Sequence, residues 1–272
     1  MHLPKASWLL AACMGTMINA SQILEVDLVF PRNETYAPTD WFPLVFAFQN
    51  ASSAQYLNPS VEFTLWNLQD DNDALTGDHD LRGHNWTAEN TYLAYSYYSR
   101  FKKEGHYRVV WTVTWESCDK SAYEKGPTTG MIHNMTTWST WFTIQESAQK
   151  VDLVAATANK SCPEEFGVVI DVTDKTMKVP WNVKWSGGDY TNDTCAVVAA
   201  NSTATHLPDP CRVQIDKTTV ESMEASLLAR LCAGLNPPSN CPEDKKNAGQ
   251  QLAVVGISCL IATFGALGFF FV

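Results

Sequence analysis

Two apolar segments bracket the chain and constrain what can fold between them. The first covers residues 8–18 behind a single Lys5, and the second covers residues 252–272 without a charged residue. A helix needs about 20 apolar residues to cross a bilayer core, so the shorter first segment is typical of a signal peptide at residues 1–20. The sequence therefore predicts that a secreted protein folds from the residues between these segments.

The C-terminal segment predicts attachment to a membrane. Lys245 and Lys246 precede it and no basic residue follows it, whereas a retained transmembrane helix usually has positive charge on its cytoplasmic side. This pattern favours a glycolipid-anchor signal, with a polar stalk at residues 242–251 and attachment at Asn247. The alternative is a retained transmembrane helix at residues 252–272.

Six of the eight cysteines lie between the two segments. An even set in a secreted chain predicts three disulfides, because the secretory pathway is oxidising. No two of them have the C-x2-C spacing of a zinc site, and their spacing leaves the pairing open. The six are Cys118, Cys162, Cys195, Cys211, Cys232 and Cys241.

Seven Asn-x-Ser/Thr sequons predict that this secreted part is heavily glycosylated. A formal net charge of −10 argues against nucleic acid as a partner. We therefore expect the protein at the extracellular face of the plasma membrane. The sequons begin at Asn33, Asn50, Asn85, Asn134, Asn159, Asn192 and Asn201.

Residues 21–146 have the alternating pattern of an antiparallel β-sandwich. In residues 106–116 one face carries only apolar or aromatic side chains, namely Tyr107, Val109, Trp111, Val113 and Trp115. Tyr107, two residues after Gly105, resembles the tyrosine of the tyrosine corner in immunoglobulin-like domains. Further strands are predicted at residues 23–30, 41–48, 61–68, 91–99 and 136–144. We expect an immunoglobulin- or fibronectin-like sandwich, with residues 41–48 in its core.

Residues 147–241 predict a small disulfide-stabilised α+β module. Short strands are expected at residues 166–172 and 179–185, and a short extended piece runs from Asp209 to Ile215. A helix at about residues 218–233 follows, because Thr218 and Glu221 have the spacing of a capping box. Its predicted apolar face consists of Val220, Met223, Leu227, Leu228 and Leu231.

One acidic stretch is the strongest candidate for a metal site. It lacks the glycine and the closing glutamate of a calcium-binding loop, so a solvated loop between strands is the favoured interpretation. No catalytic motif is present, and we assign no catalytic, metal or cofactor-binding residue. The stretch contains Asp70, Asp71, Asn72, Asp73, Asp78, His79, Asp80 and His84.

Four of the ten tryptophans are expected to be at least partly exposed. Exposed aromatic rings can stack on sugar rings, although packing in the core or at a sheet edge is the favoured interpretation. The four are Trp66, Trp86, Trp141 and Trp181.

Three parts of the chain resemble a family of fungal secreted and cell-surface proteins that carry a domain of unknown function. They are residues 24–32, residues 41–43, and Asp209-Pro210-Cys211 together with Cys232 and Cys241. The resemblance implies a protein of the fungal surface or wall and supplies no activity. We expect a non-enzymatic glycoprotein with a structural or adhesive role and cell-wall polysaccharide as a candidate partner. The alternative is a glycan-binding module or a carbohydrate-active enzyme on the same scaffold.

Overall fold

The computed structural model describes residues 22–86, 90–119, 121, 130–158, 167–179, 194–199 and 207–242. In these residues the fold is mainly β, with two five-stranded sheets. The chain divides into two compact units, residues 1–225 and residues 226–272. Both sheets belong to the first unit.

The first sheet has the strand order β10-β9-β1-β3-β6, and its neighbouring strands are antiparallel. Its strands are β1 (Gln22–Phe30), β3 (Phe42–Gln49), β6 (Thr91–Tyr98), β9 (Gly167–Lys178) and β10 (Thr194–Val198).

The second sheet has the order β2-β8-β7-β4-β5. Its strands are antiparallel except that β2 pairs with β8 in parallel. They are β2 (Thr35–Tyr36), β4 (Ser60–Asn67), β5 (Asp70–Asp80), β7 (Gly105–Cys118) and β8 (Met131–Ile144).

Aromatic side chains from both sheets form a shared core. The ring of Phe46 on β3 lies 5.7 Å from Phe63 on β4 and 5.6 Å from Trp111 on β7. Phe42 stacks on Phe142 of β8 at 5.1 Å. Burial of rings of this size supplies much of the stability of a β protein. The predicted alternation on β7 is confirmed from Tyr107 through Val113, since every second side chain is buried.

Every residue of β3 is buried. A strand covered on both faces reads as a continuous apolar run rather than an alternating one. The prediction that residues 41–48 belong to the core is therefore confirmed from Phe42 onward, whereas Trp41 is half-buried.

The acidic stretch that begins at Asp70 forms an edge strand, so the predicted loop is wrong. Strand β5 pairs with β4 from Ser60 opposite Asp80 to Trp66 opposite Ala74. Charged residues are common on edge strands because they discourage pairing with another chain. A strand of this composition has no apolar alternation from which to predict it.

The predicted boundary at residues 146 and 147 does not separate the sheets. Strand β9 pairs with β1 from Gln22 opposite Val172 to Asp27 opposite Gly167, and β10 pairs with β9. Long-range pairing of this kind leaves no signal in local sequence. The predicted strand at residues 179–185 lies outside the described residues except for Val179.

Two α-helices lie wholly within the described residues: α1 (Leu153–Thr157) and α2 (Lys217–Cys232). The predicted cap of α2 is wrong, because Asp216 caps the helix by accepting a hydrogen bond of 2.7 Å from the Thr219 backbone N–H. Of the predicted apolar face, Met223 alone is fully buried. Helix α1 was not predicted, and the Asp152 side chain caps it.

In the described part of the chain, no helix combines the length and the apolar character needed to cross a membrane. The predicted signal peptide, stalk, Asn247 and C-terminal apolar segment lie outside the described residues, apart from Pro242.

Candidate functional site

The second sheet has one face that is turned away from the aromatic core. On β4 and β7 the side chains of Phe63 and Trp111 are buried in the core. Because successive side chains of a strand point to opposite faces, Glu62 on β4 lies on the other face. Glu62 is paired with Asp78 on β5 and with Thr112 on β7. We call this surface the open face.

A cleft of about 400 Å³ lies at one end of the open face, and we call it the acidic cleft. Four carboxylates from three strands line it, namely Glu62, Asp78, Asp80 and Glu116. The remaining lining residues are Asn58, Ser60, Arg82, Thr114, Trp115, His133, Asn134 and Met135.

The carboxylates of the acidic cleft differ in their environments. Glu116 is 4 % exposed, and its Oε1 lies 3.0 Å from Nδ1 of His133 on the neighbouring strand. Asp80 forms an ion pair with Arg82 at 2.5 Å, and the hydrogen bond from that guanidinium lowers the pKa of Asp80. Glu62 and Asp78 are exposed. The cleft therefore presents more negative than positive charge to solvent.

Asn58 lies at the edge of the cleft and is buried. The residue is 4 % exposed and has a left-handed backbone with a φ of 45°. Its Nδ2 is enclosed by protein and has no hydrogen-bond partner among the described residues. A buried amide without a partner is unfavourable by about 1–3 kcal/mol.

The other end of the open face carries an aromatic row, which we define as Trp66, Arg108 and Trp141. Arg108 on β7 is paired with Trp66 on β4 and with Trp141 on β8. The guanidinium carbon lies 5.4 Å from the centroid of the Trp141 ring, a cation–π distance. Arg108 also donates a hydrogen bond of 3.2 Å to Ser139. Trp141 remains 45 % exposed.

The outcome for the four selected tryptophans is mixed. Trp141 is exposed as predicted, and Trp66 is half-buried. Trp86 is buried rather than exposed, in line with the favoured interpretation of core packing: it is 3 % exposed and packs against Phe48 at 5.4 Å. Trp181 lies outside the described residues.

The two histidines of the acidic stretch do not meet as metal ligands. His79 packs against Phe46 and Phe63 in the core, and burial lowers its pKa. The ring of His84 lies 4.7 Å from Trp86. Among the described residues, no three His, Cys, Asp or Glu side chains are arranged so that they could hold a metal ion.

A second polar cluster lies on strands β1 and β3 of the first sheet and is buried. Glu25 and Asp27 on β1 are 4 % and 0 % exposed. Nε2 of Gln49 on β3 donates to Glu25 at 3.0 Å and to Asp27 at 2.8 Å. Burial, and then the neighbouring Glu25 carboxylate, raise the pKa of Asp27 well above its usual range. We call these three residues the buried carboxyl cluster.

The buried carboxyl cluster holds a distant segment of the chain. Glu25 accepts hydrogen bonds from the Asp209 backbone N–H and from Nη2 of Arg212, both at 2.5 Å. Arg212 also donates to Gln49 at 2.7 Å. Two of the three parts of the chain that carry the family resemblance, residues 24–32 and 209–211, are thus in direct contact. In the sequence, this cluster is indicated only by the two carboxylates at positions 25 and 27 of an otherwise apolar strand.

The disulfide prediction is confirmed for the described cysteines. Cys118 on β7 is bonded to Cys195 on β10, so the bond joins the two sheets. Cys232 at the end of α2 is bonded to Cys241. Cys211 is also disulfide-bonded, and Cys162 lies outside the described residues.

Four of the seven sequons lie in the described residues. Asn33 and Asn85 are exposed. Asn50 and Asn134 are half-buried, and the Nδ2 of each donates to protein oxygens, including Ile23 O at 3.0 Å and Ser117 Oγ at 3.2 Å. Asn159, Asn192 and Asn201 lie outside the described residues.

The fold and the site define a class, a disulfide-bonded two-sheet β protein with one open acidic face. Residues 19–241 match the model of a family described as a domain of unknown function, DUF7136. The chain belongs to this family. No match was found among curated proteins or among solved structures.

Proposed function

We propose that the protein is a secreted glycoprotein of the fungal cell surface with a structural or adhesive, non-enzymatic role. The observation that best supports this proposal is the Cys118–Cys195 disulfide, which links β7 of one sheet to β10 of the other. Disulfides that hold a fold together are typical of oxidising compartments and rare in the cytosol. Two exposed sequons, at Asn33 and Asn85, are consistent with the same compartment.

The proposed location is the outer face of the plasma membrane or the cell wall, with attachment through a glycolipid at Asn247. The support is the uncharged apolar sequence of residues 252–272. A retained transmembrane helix is the alternative form of attachment.

Expression of a tagged chain in a fungal host tests the location and the attachment. We expect a mobility shift after enzymatic deglycosylation and release from intact cells by a phospholipase that cleaves glycolipid anchors. A reduced, unglycosylated protein in the cytosol would contradict the proposal. Surface exposure without release would favour the transmembrane form.

The acidic cleft favours a second candidate, a glycan-binding module or a carbohydrate-active enzyme. Glycoside hydrolysis uses two carboxyl groups that face each other across the bond, and four carboxylates line this cleft. Incubation with defined oligosaccharides separates binding from catalysis. Retention without product supports binding, whereas hydrolysis that is lost in Glu116→Gln would establish an enzyme.

We also propose that the fold is immunoglobulin- or fibronectin-like. The Tyr107 hydroxyl donates to Lys103 O at 3.1 Å, four residues earlier, as the hydroxyl of a tyrosine corner does. An experimental structure with the strand order of those domains would support this assignment, and an unrelated order would refute it.

A further inference from the structure

We propose that the open face binds an extended oligosaccharide whose sugars carry protonated amino groups. The acidic cleft would hold the amines at one end, and the aromatic row would stack on sugar rings at the other. This inference deepens the extracellular binding role proposed above and rests on it.

The negative charge of the acidic cleft favours a ligand with positively charged amino groups. Of the described residues that line the cleft, Arg82 is the one arginine or lysine, and it is paired with Asp80 at 2.5 Å. Glu62 and Asp78 are exposed and directly opposite each other on neighbouring strands. A concave surface lined by one sign of charge attracts ligands of the other sign. Ammonium groups are strong hydrogen-bond donors to such carboxylates.

The length of the open face favours an oligosaccharide over a single sugar. Glu62 in the cleft and Trp66 in the aromatic row lie four residues apart on β4, which corresponds to about 14 Å along a strand. This span is longer than one sugar ring. Because Arg108 already lies over the Trp141 ring, this end is suited to the uncharged parts of the sugars.

Titration calorimetry on the purified full-length protein tests the inference with three probes: glucosamine hexamer, glucosamine dimer and N-acetylglucosamine hexamer. We expect the acetylated hexamer to bind at least about ten-fold more weakly than the glucosamine hexamer, because acetylation removes the charges. The Thr136→Ala variant, which removes the Asn134 sequon beside the cleft, is titrated in parallel so that a glycan there cannot mask the site.

Two sets of variants separate the two ends of the face. Glu62→Gln combined with Asp78→Asn should weaken both glucosamine probes about ten-fold. Trp141→Ala should weaken the hexamer about five-fold and leave the dimer unchanged, because only the longer probe reaches the aromatic row. The matched control, Asp174→Asn combined with Glu224→Gln, removes the same charge outside the open face and should change neither.

Three outcomes would overturn the inference. They are no binding by either the parent or Thr136→Ala, equal binding of the acetylated hexamer, and equal binding of a lysine hexamer. If neither protein binds a probe but the chain is still glycosylated and displayed at the cell surface, this inference alone is refuted, because the proposed location would stand.

Discussion

On β1 the carboxylates of Glu25 and Asp27 are buried beneath the segment that contains Arg212, whereas on β4 and β5 the carboxylates of Glu62 and Asp78 face solvent. Inside the protein, Gln49 donates to both Glu25 and Asp27, and Glu25 also accepts from Arg212. The second pair is exposed and remains available to a ligand. The comparison suggests that the first sheet stabilises the fold and that the open face of the second sheet serves recognition.

The link between the two sheets should have the largest effect on stability. Replacing Cys118 and Cys195 by alanine removes a cross-link between residues 77 positions apart. Loop-closure entropy then predicts a loss of about 4 kcal/mol in the free energy of unfolding. Urea unfolding followed by tryptophan fluorescence measures it.

The shorter Cys232–Cys241 bond, with a separation of 9, is the control for this measurement. Its removal should lower the stability less, by about 2–3 kcal/mol. An equal or larger loss from the shorter bond would mean that the disulfide between the sheets does not make the larger contribution to the free energy of unfolding.

Glu25→Ala sharpens the difference between the buried and the exposed carboxylates. The variant removes the acceptor for the Asp209 N–H, for Gln49 and for Arg212. Since the Asp209 N–H then lacks its acceptor and the Arg212 guanidinium loses its charged partner, we expect a loss of about 3 kcal/mol in the free energy of unfolding. Glu62→Ala on the open face is the matched control, with a change within about 0.5 kcal/mol. Similar losses for both would remove the distinction between the two sheets.

Gly167→Ala tests how tightly the first sheet is packed around Asp27. A Cβ atom at this position would lie within 2.6 Å of Pro208 Cβ and would also clash with Asp27 Oδ1. Because both groups are held by neighbouring strands or segments, we expect a loss of about 2 kcal/mol. Thermal unfolding measures the loss, and an unchanged midpoint would show that this region can relax.

Asp27→Asn should have the smallest effect and a distinctive pH dependence. The raised pKa of Asp27, which faces Glu25 and Arg212, means that the native state holds a proton that the unfolded chain releases. This contribution to stability is complete below the unfolded pKa of about 3.9 and is lost as the pH rises through the folded pKa.

Asparagine keeps the shape without the titration. The stability of Asp27→Asn relative to the parent protein should therefore rise between acidic and neutral pH. Urea unfolding at several pH values checks this, and a difference that stays constant with pH would contradict the assigned cause.

Local patterns were sufficient to predict much of the fold. The alternation from Tyr107 to Val113 and the continuous apolar run of β3 were correct because each depends on neighbouring residues. Strand β5 was missed because its residues are polar and it is held by pairing with β4. The joining of β9 to β1 was missed because those segments lie far apart in the chain.

The site was harder to predict than the fold. The acidic cleft combines residues from β4, β5, β7 and β8, and nothing local indicates that Glu62 and Asp78 lie opposite each other. The contact between Glu25 and Asp209 spans 184 positions. Which of the four selected tryptophans is exposed could not be predicted, because contacts such as that of Trp86 with Phe48 depend on tertiary packing.

Hydrogen–deuterium exchange of the full-length protein, with and without glucosamine hexamer, tests the division between the two sheets most directly. We expect the oligosaccharide to slow exchange in peptides from β4, β5 and β7 and to leave β1 and β3 unchanged. Protection confined to β1 and β3, or no protection anywhere, would contradict the assignment of recognition to the open face.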